Sequence, residues 1–180
     1  MALRNIRKQG EEILTKRAKE IKEITPRIRD LAADMLETMY DAEGVGLAGP
    51  QVGILKRIVV IDISEERDDP IIMINPAITS SDGTQTGWEG CLSVPGKSGQ
   101  VTRPERVTAT FTDLAGNECE IEAEGFLARA VCHELDHLDG HLYVEKVEGR
   151  LYDNSELQTQ SEEDGESDEE AGEDDGAVKR

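Results

Sequence analysis

Between Phe126 and Leu138 the apolar residues Leu127, Ala130, Val131, Leu135 and Leu138 recur at the spacing of a helix with a buried face, closed by Gly140. Into the same run fall His133, Glu134, Asp136 and His137. Ionisable groups crowded on a core helix are costly unless something compensates them. The fold must therefore bring a helix through its interior with a polar cluster at one point along it. Every other element of the chain has to be compatible with that requirement.

The elements around this helix can be read in turn. Thr25-Pro26 is a helix start, with Thr as N-cap and Pro in the first turn. Ile28, Leu31, Ala32, Met35, Leu36 and Met39 then mark one buried face as far as Tyr40. Gly44 to Gly53 is too rich in glycine for a regular element and reads as a loop or an irregular strand. Arg57–Ile63 and Ile71–Ile74 look like buried strands on either side of a charged turn at Glu65–Pro70. Thr86 to Gly99 is punctuated by Gly and Pro. Val107, Ala109 and Phe111 alternate with polar residues, as do Cys119, Ile121 and Ala123, and Asp113–Asn117 between them suggests a hairpin with Cys119 in the core. A short strand is expected at Leu142–Val144. These elements describe an α+β fold: small antiparallel or mixed sheets packed around a central helix bearing H-E-x-x-H, with an N-terminal helix.

The charge is unevenly spread. The chain of 180 residues carries a formal net charge of −19, and Asp153 to Arg180 alone holds 12 acidic and 2 basic residues. The length suits one domain, expected at 1–152, with 153–180 as an acidic tail. Gln160–Arg180 is too poor in apolar residues to repay its ordering entropy and is expected to be disordered. The acidic balance argues against specific nucleic-acid binding. The N-terminal bases Arg4, Arg7, Lys8, Lys16, Arg17, Lys19 and Lys22 alternate with glutamates and read as a solvated helical face. No apolar stretch approaches the ~20 residues of a membrane span, and no signal segment follows Met1, so a cytoplasmic protein is expected. Three cysteines without a secretory signal do not suggest a disulfide framework.

His133 and His137, four residues apart on a helix, can both reach one metal ion. Glu134, next to the first of them, can take a proton from metal-bound water without itself binding the ion. A third ligand is required. The pattern H-E-x-x-H-x-x-G-x-x-H is followed as far as Gly140 but has Tyr143 at the final histidine position. His141 lies beyond the helix and reads as a surface residue. No second helix offers a downstream glutamate before the acidic tail. Cys91, flanked by glycine in Trp88-Glu89-Gly90-Cys91-Leu92-Ser93, is the remaining candidate, and would leave a fourth position open as catalytic sites require. Taken alone, a buried structural thiol explains Cys91 equally well. Cys132 points elsewhere on the helix and is assigned to the core.

Gly44-Val45-Gly46-Leu47-Ala48-Gly49-Pro50-Gln51, Glu89-Gly90-Cys91-Leu92-Ser93 and His133-Glu134-Leu135-Asp136-His137 resemble, in order, the three motifs of the bacterial peptide deformylases. The similarity runs from about residue 3 to about residue 150. It implies removal of the formyl group from N-terminal formylmethionine of nascent polypeptides, with transient ribosome association. It also implies a metal shell of Cys91, His133 and His137 around Fe²⁺, with Zn²⁺ or Ni²⁺ able to substitute. Glu134 would be general base and then general acid, and Gln51 with the Leu92 backbone N–H would form the oxyanion hole. Val45 and Gly46 would hold the substrate backbone, with Glu89, Arg103, Phe126 and Ala130 completing the substrate site. Arg103 is further expected to pair with Glu89 and brace the Cys91 loop. Three departures stand out. Gly49 replaces the usual Ala and is expected to loosen the segment carrying Gln51, Cys132 replaces a common Gln, and Arg129 enters the helix beside the methionine pocket.

The competing readings are a zinc endopeptidase, disfavoured by Tyr143, and a metal-stabilised binding module, which would need a fourth protein ligand.

Overall fold

The computed structural model describes residues 2–157, so the expected disorder of Gln160–Arg180 lies outside the described residues. The elements run in the order α1 (Pro26–Asp41), β1 (Gly46–Ala48), β2 (Ile58–Ile61), β3 (Ile71–Asp82), β4 (Gln85–Cys91), β5 (Val94–Arg103), β6 (Arg106–Thr112), β7 (Glu118–Glu124), α2 (Gly125–Asp139) and β8 (Glu148–Asp153). Among the described residues they form two antiparallel sheets. One has the order β1-β2-β3-β6-β7 and the other β4-β5-β8. The fold class is α+β. No helix among the described residues is long and apolar enough to cross a membrane.

Alternation along β2 explains how the layers stack. Val59 and Ile61 pack with Val131, Leu135 and Leu138 of α2, whereas Ile58 and Val60 pack with Leu31, Met35 and Met39 of α1. The five-stranded sheet is thus covered by α2 on one face and α1 on the other. All four β2 side chains are fully buried, each worth roughly 1.5–3 kcal/mol relative to exposure. The Thr25 hydroxyl accepts from the Ile28 N–H and Pro26 occupies the first turn, so α1 begins where its sequence signals put it. Gly140 ends α2 in the left-handed conformation (φ 85°), against the Thr15 carbonyl, where a Cβ would come within 2.7 Å of its oxygen.

Several local expectations are overturned. The strand starting at Ile71 does not stop at Ile74 but continues to Asp82. Asn75 takes φ 51° and clasps both backbone groups of Ile21, and the register with β6 shifts there before pairing resumes. Gly- and Pro-rich 86–99 forms most of a long β4–β5 hairpin, because cross-strand pairing outweighs weak intrinsic propensity. Leu142–Val144 is not a strand. A 3-10 turn spans Tyr143–Lys146, and the last strand among the described residues is β8. Cys119 lies half-buried near the start of the edge strand β7, its Sγ towards the Asn117 carbonyl, rather than in the core. Apart from a 3-10 turn at Glu12–Thr15, the basic N-terminal stretch is irregular and carries no helical face.

Candidate metal centre and substrate cleft

The two sheets meet at α2. Cys91 is the last residue of β4, where the β4–β5 register slips between Gly90 and Cys91, and the slip turns its thiol towards the helix. His133 and His137 face it from successive turns. Their Nε2 atoms are 3.3 Å apart, Cys91 Sγ lies 3.3 Å from His137 Nε2, and all three donor atoms fall within 4.8 Å of one another.

This donor set fits a metal ion. Two imidazole nitrogens bound to one tetrahedral ion at 2.0–2.1 Å stand about 3.4 Å apart. Glu89 Oε2 lies 2.9 Å from His133 Nδ1, an arrangement that fixes the proton there and leaves Nε2 as the ligating atom. His137 is fully buried, and burial followed by the field of His133 drives its pKa far down, keeping it neutral. His133 stands at about 10: burial opposes its charge, but Cys91 and Glu89 outweigh it. Without a cation the cluster therefore holds a proton that a metal would displace.

Behind the histidines lies a buried ionic network. Arg103, 4% exposed, donates from Nε and Nη2 to the two oxygens of Glu89 at 2.8 and 2.9 Å and from Nη1 to Asp136 at 2.6 Å. Asp136 also accepts from Lys146. Arg129, equally buried, donates to Glu89 Oε1 and to the Val101 carbonyl, both at 2.8 Å. Despite burial, which opposes its charge, Glu89 is held at about 2, chiefly by Arg103 and then His133.

Glu134 shares this end of the helix. Burial pushes its carboxyl up to about 7, against the pull of His133. Its Oε2 and His137 Nδ1 are buried side-chain atoms without a hydrogen-bond partner among the described residues. A Cβ on Gly46 would land on the Glu134 carboxylate, so a glycine there is what lets the acid reach its place. Gln51 sits fully buried in a 3-10 turn at Gly49–Val52. Its Oε1 accepts from the Ala48 N–H, which aims Nε2 at Ser93 Oγ (3.2 Å) and Cys91 Sγ (3.5 Å). Gly49 does not loosen this turn as expected. A Cβ there would lie 2.6 Å from the Lys56 carbonyl oxygen and 2.8 Å from that of Ile54, so glycine permits a tighter closure than alanine would.

A cavity of about 580 Å³ opens in front of the cluster, lined by residues that include Val45, Gly46, Leu92, Phe126, Ala130 and Glu134. Arg103 does not line it and so departs from the expected substrate contacts. Glu89 touches it, but both its oxygens are engaged by Arg103, Arg129 and His133. Trp88 lies 44% exposed at the rim, edge-on to Tyr152. Tyr143, which occupies the position of a third histidine, stacks on the His133 ring at 5.9 Å and donates from its hydroxyl to the Lys97 carbonyl. His141 is exposed and paired with Glu145, and Cys132 is buried in the core.

Sequence reasoning gave Arg129 no partner and overlooked Asp136 and Ser93. Arg129 was legible in principle: it precedes His133 by four residues on an apolar helix, and a cation there needs a buried anion.

The chain is similar to known proteins along most of its length. The family described as Polypeptide deformylase matches residues 3–151. A peptide deformylase of Agathobacter rectalis is 67% identical over 153 residues, 85% of this chain and 95% of that protein. One from Lachnoclostridium phytofermentans is 61% identical, covering 85% and 94%. Among solved structures, a peptide deformylase from Legionella pneumophila superposes with a TM-score of 0.80 at 38% identity, covering 96% of this chain and all of that one. One from Synechococcus elongatus in complex with actinonin gives 0.78 at 40%, covering 89% and 86%.

Proposed function

We propose that this chain, which belongs to the polypeptide deformylase family of hydrolases, removes the N-formyl group from formylmethionyl nascent polypeptides. Water cleaves the amide, giving formate and a free α-amine. The observation that carries this reading is the convergence of Cys91, His133 and His137 with Glu134 and the Gln51 amide at one end of a cavity.

Cys91, His133 and His137 would hold a divalent ion, taken as Fe²⁺ with Zn²⁺ or Ni²⁺ as substitutes; thiolate with two imidazoles suits all three. Such an ion supplies a Lewis acid that activates water near neutral pH and polarises the formyl carbonyl. The remaining work belongs to the protein. Glu134, with a carboxyl near 7, accepts a proton from the attacking water and returns it to the departing nitrogen. Gln51 Nε2 and the Leu92 N–H receive the charge that develops on the formyl oxygen. One such donor is typically worth about 3 kcal/mol. Val45 and Gly46 present backbone against which the substrate lies as an added strand. Phe126 and Ala130 line the space for the methionine side chain, and the Glu89–Arg103 pair keeps His133 oriented. The substrate implies transient encounters with the ribosome and a cytoplasmic site of action.

The test is formate release from formyl-Met-Ala-Ser by anaerobically prepared protein, with metal measured on the same sample. Turnover should require the metal. Glu134→Ala should keep the ion and lose at least about two orders of magnitude in rate. A variant that retains nearly full activity would remove Glu134 from this role.

A further inference from the structure

Residues near the N-terminus, in no regular element, pass the mouth of the cavity, which Ile6 and Lys8 help to line. Their bonds are directed at the site. The Arg7 N–H donates to the Gln51 carbonyl at 2.7 Å, Lys8 Nζ to the Leu92 carbonyl at 2.7 Å and the Gln9 N–H to the Ser93 carbonyl at 2.8 Å. Upstream, Arg4 is anchored on α1 through Asp34 and Thr38; downstream, Glu11 accepts from the Lys8 N–H.

Three successive residues thus tie together two turns distant in sequence. The Gly49–Val52 turn comes directly after the edge strand of the five-stranded sheet, and Leu92–Ser93 joins two strands of the other sheet. Among the described residues no hydrogen-bonded strand pairing joins these sheets. Directly between the turns are the contacts from Gln51 Nε2 to Ser93 Oγ and to Cys91 Sγ.

We propose that Arg7–Gln9 is a positioning strap, which fixes the Gln51 turn against the Leu92–Ser93 turn so that the two oxyanion donors face one point. The strap rests on the reading of Gln51 and Leu92 as those donors. Lys8 has a second effect. The Leu92 carbonyl that it grips shares a peptide unit with the Ser93 N–H, which donates to Cys91 Sγ at 3.4 Å. Hydrogen bonds in such a chain reinforce one another.

The experiment uses the full metal-loaded chain carrying Lys8→Met, Lys8→Arg or Arg7→Pro, the last removing the N–H that grips Gln51. A formyl-Met tripeptide gives kcat and KM. Lys8→Met should lower kcat about three- to tenfold, the value of one hydrogen bond. Arg7→Pro should lower it by about tenfold or more, since small misplacements of catalytic groups are costly. KM and metal content should stay within about twofold, and Lys8→Arg should recover most of the rate. In a Gln51→Ala background Lys8→Met should cost less than it does in the parent chain. Amide exchange at Gln51–Val52 and Ser93 in the metal-free protein should quicken in both damaging variants.

An unchanged kcat, a rise in KM alone, a loss of metal matching the loss of rate, or unchanged exchange would each overturn the strap. So would full additivity with Gln51→Ala. If Gln51→Ala itself left the rate intact, the oxyanion-hole reading would fail, a result distinct from additivity.

Discussion

Replacing Glu89 by glutamine preserves the shape of the side chain and removes a single charge, but that charge is shared by three partners. Arg103 and Arg129, 4% and 5% exposed, both donate to it, and His133 is hydrogen-bonded to its second oxygen. Asp136 can still neutralise Arg103, so the variant leaves one buried guanidinium without an anion. Breaking a buried pair in this way typically costs about 3–5 kcal/mol. The carboxyl itself gives a second measure. Its depression from an ordinary 4.5 to about 2 corresponds to roughly 3 kcal/mol in favour of the ionised form. We expect Glu89→Gln to lose about 3 kcal/mol in urea denaturation of the metal-free protein, with an unchanged m-value. Working without metal matters, because a bound ion stabilises the fold by mass action and would mask the loss. A titration with Zn²⁺ should then show affinity lower by about 10–100-fold, as His133 loses the acceptor that orients it. A loss of stability below about 1 kcal/mol would refute the network as a structural brace.

Gly46→Ala should keep the metal yet lower kcat at least about tenfold, since the new Cβ takes the place of the Glu134 carboxylate; comparing turnover per bound ion checks this. Gly49→Ala should destabilise by about 1–3 kcal/mol, because the Cβ meets two backbone carbonyls, and the ~0.4–1 kcal/mol gained through the unfolded chain does not offset it. A higher urea midpoint would refute that placement. Tyr40 donates to Asp62 at 2.6 Å, and burial followed by that bond raises its phenol from 10.0 to about 12. The unfolded chain ionises first, so stability present below pH 10 should fall as pH rises towards 12, and Tyr40→Phe should flatten the fall in urea midpoints.

How much of this could be read from sequence depends on the range of the interactions involved. Both helices were legible because each records its burial locally: Thr25 and Pro26 start α1, Gly140 stops α2, and the apolar residues between them fall at helical spacing. β4 and β5 were not legible. Gly87, Gly90, Gly96 and Gly99 weaken any local strand signal, and what holds the hairpin is pairing between residues up to 18 apart, from Gln85↔Arg103 inwards. Two of those glycines have a reason only in three dimensions: Gly87 makes room for the Arg129 guanidinium and Gly99 for Val147.

The same division runs through the site. His133, Glu134 and His137 lie on one helix, where spacing alone brings them together. Cys91 had to be chosen by elimination, since its approach depends on a register slip that no local pattern announces. The bases near the N-terminus were misread for a related reason. Their alternation with glutamates is compatible with a solvated helix, but the backbone donors of Arg7 and Gln9 are used by carbonyls of Gln51 and Ser93. A segment whose amides are satisfied from outside itself has no need of helical bonds. Composition records the side chains and is blind to where the backbone spends its donors. At the strap those bonds end on the Gly49–Val52 turn and on the Leu92–Ser93 turn that follows Cys91, the candidate ligand that sequence spacing could not place.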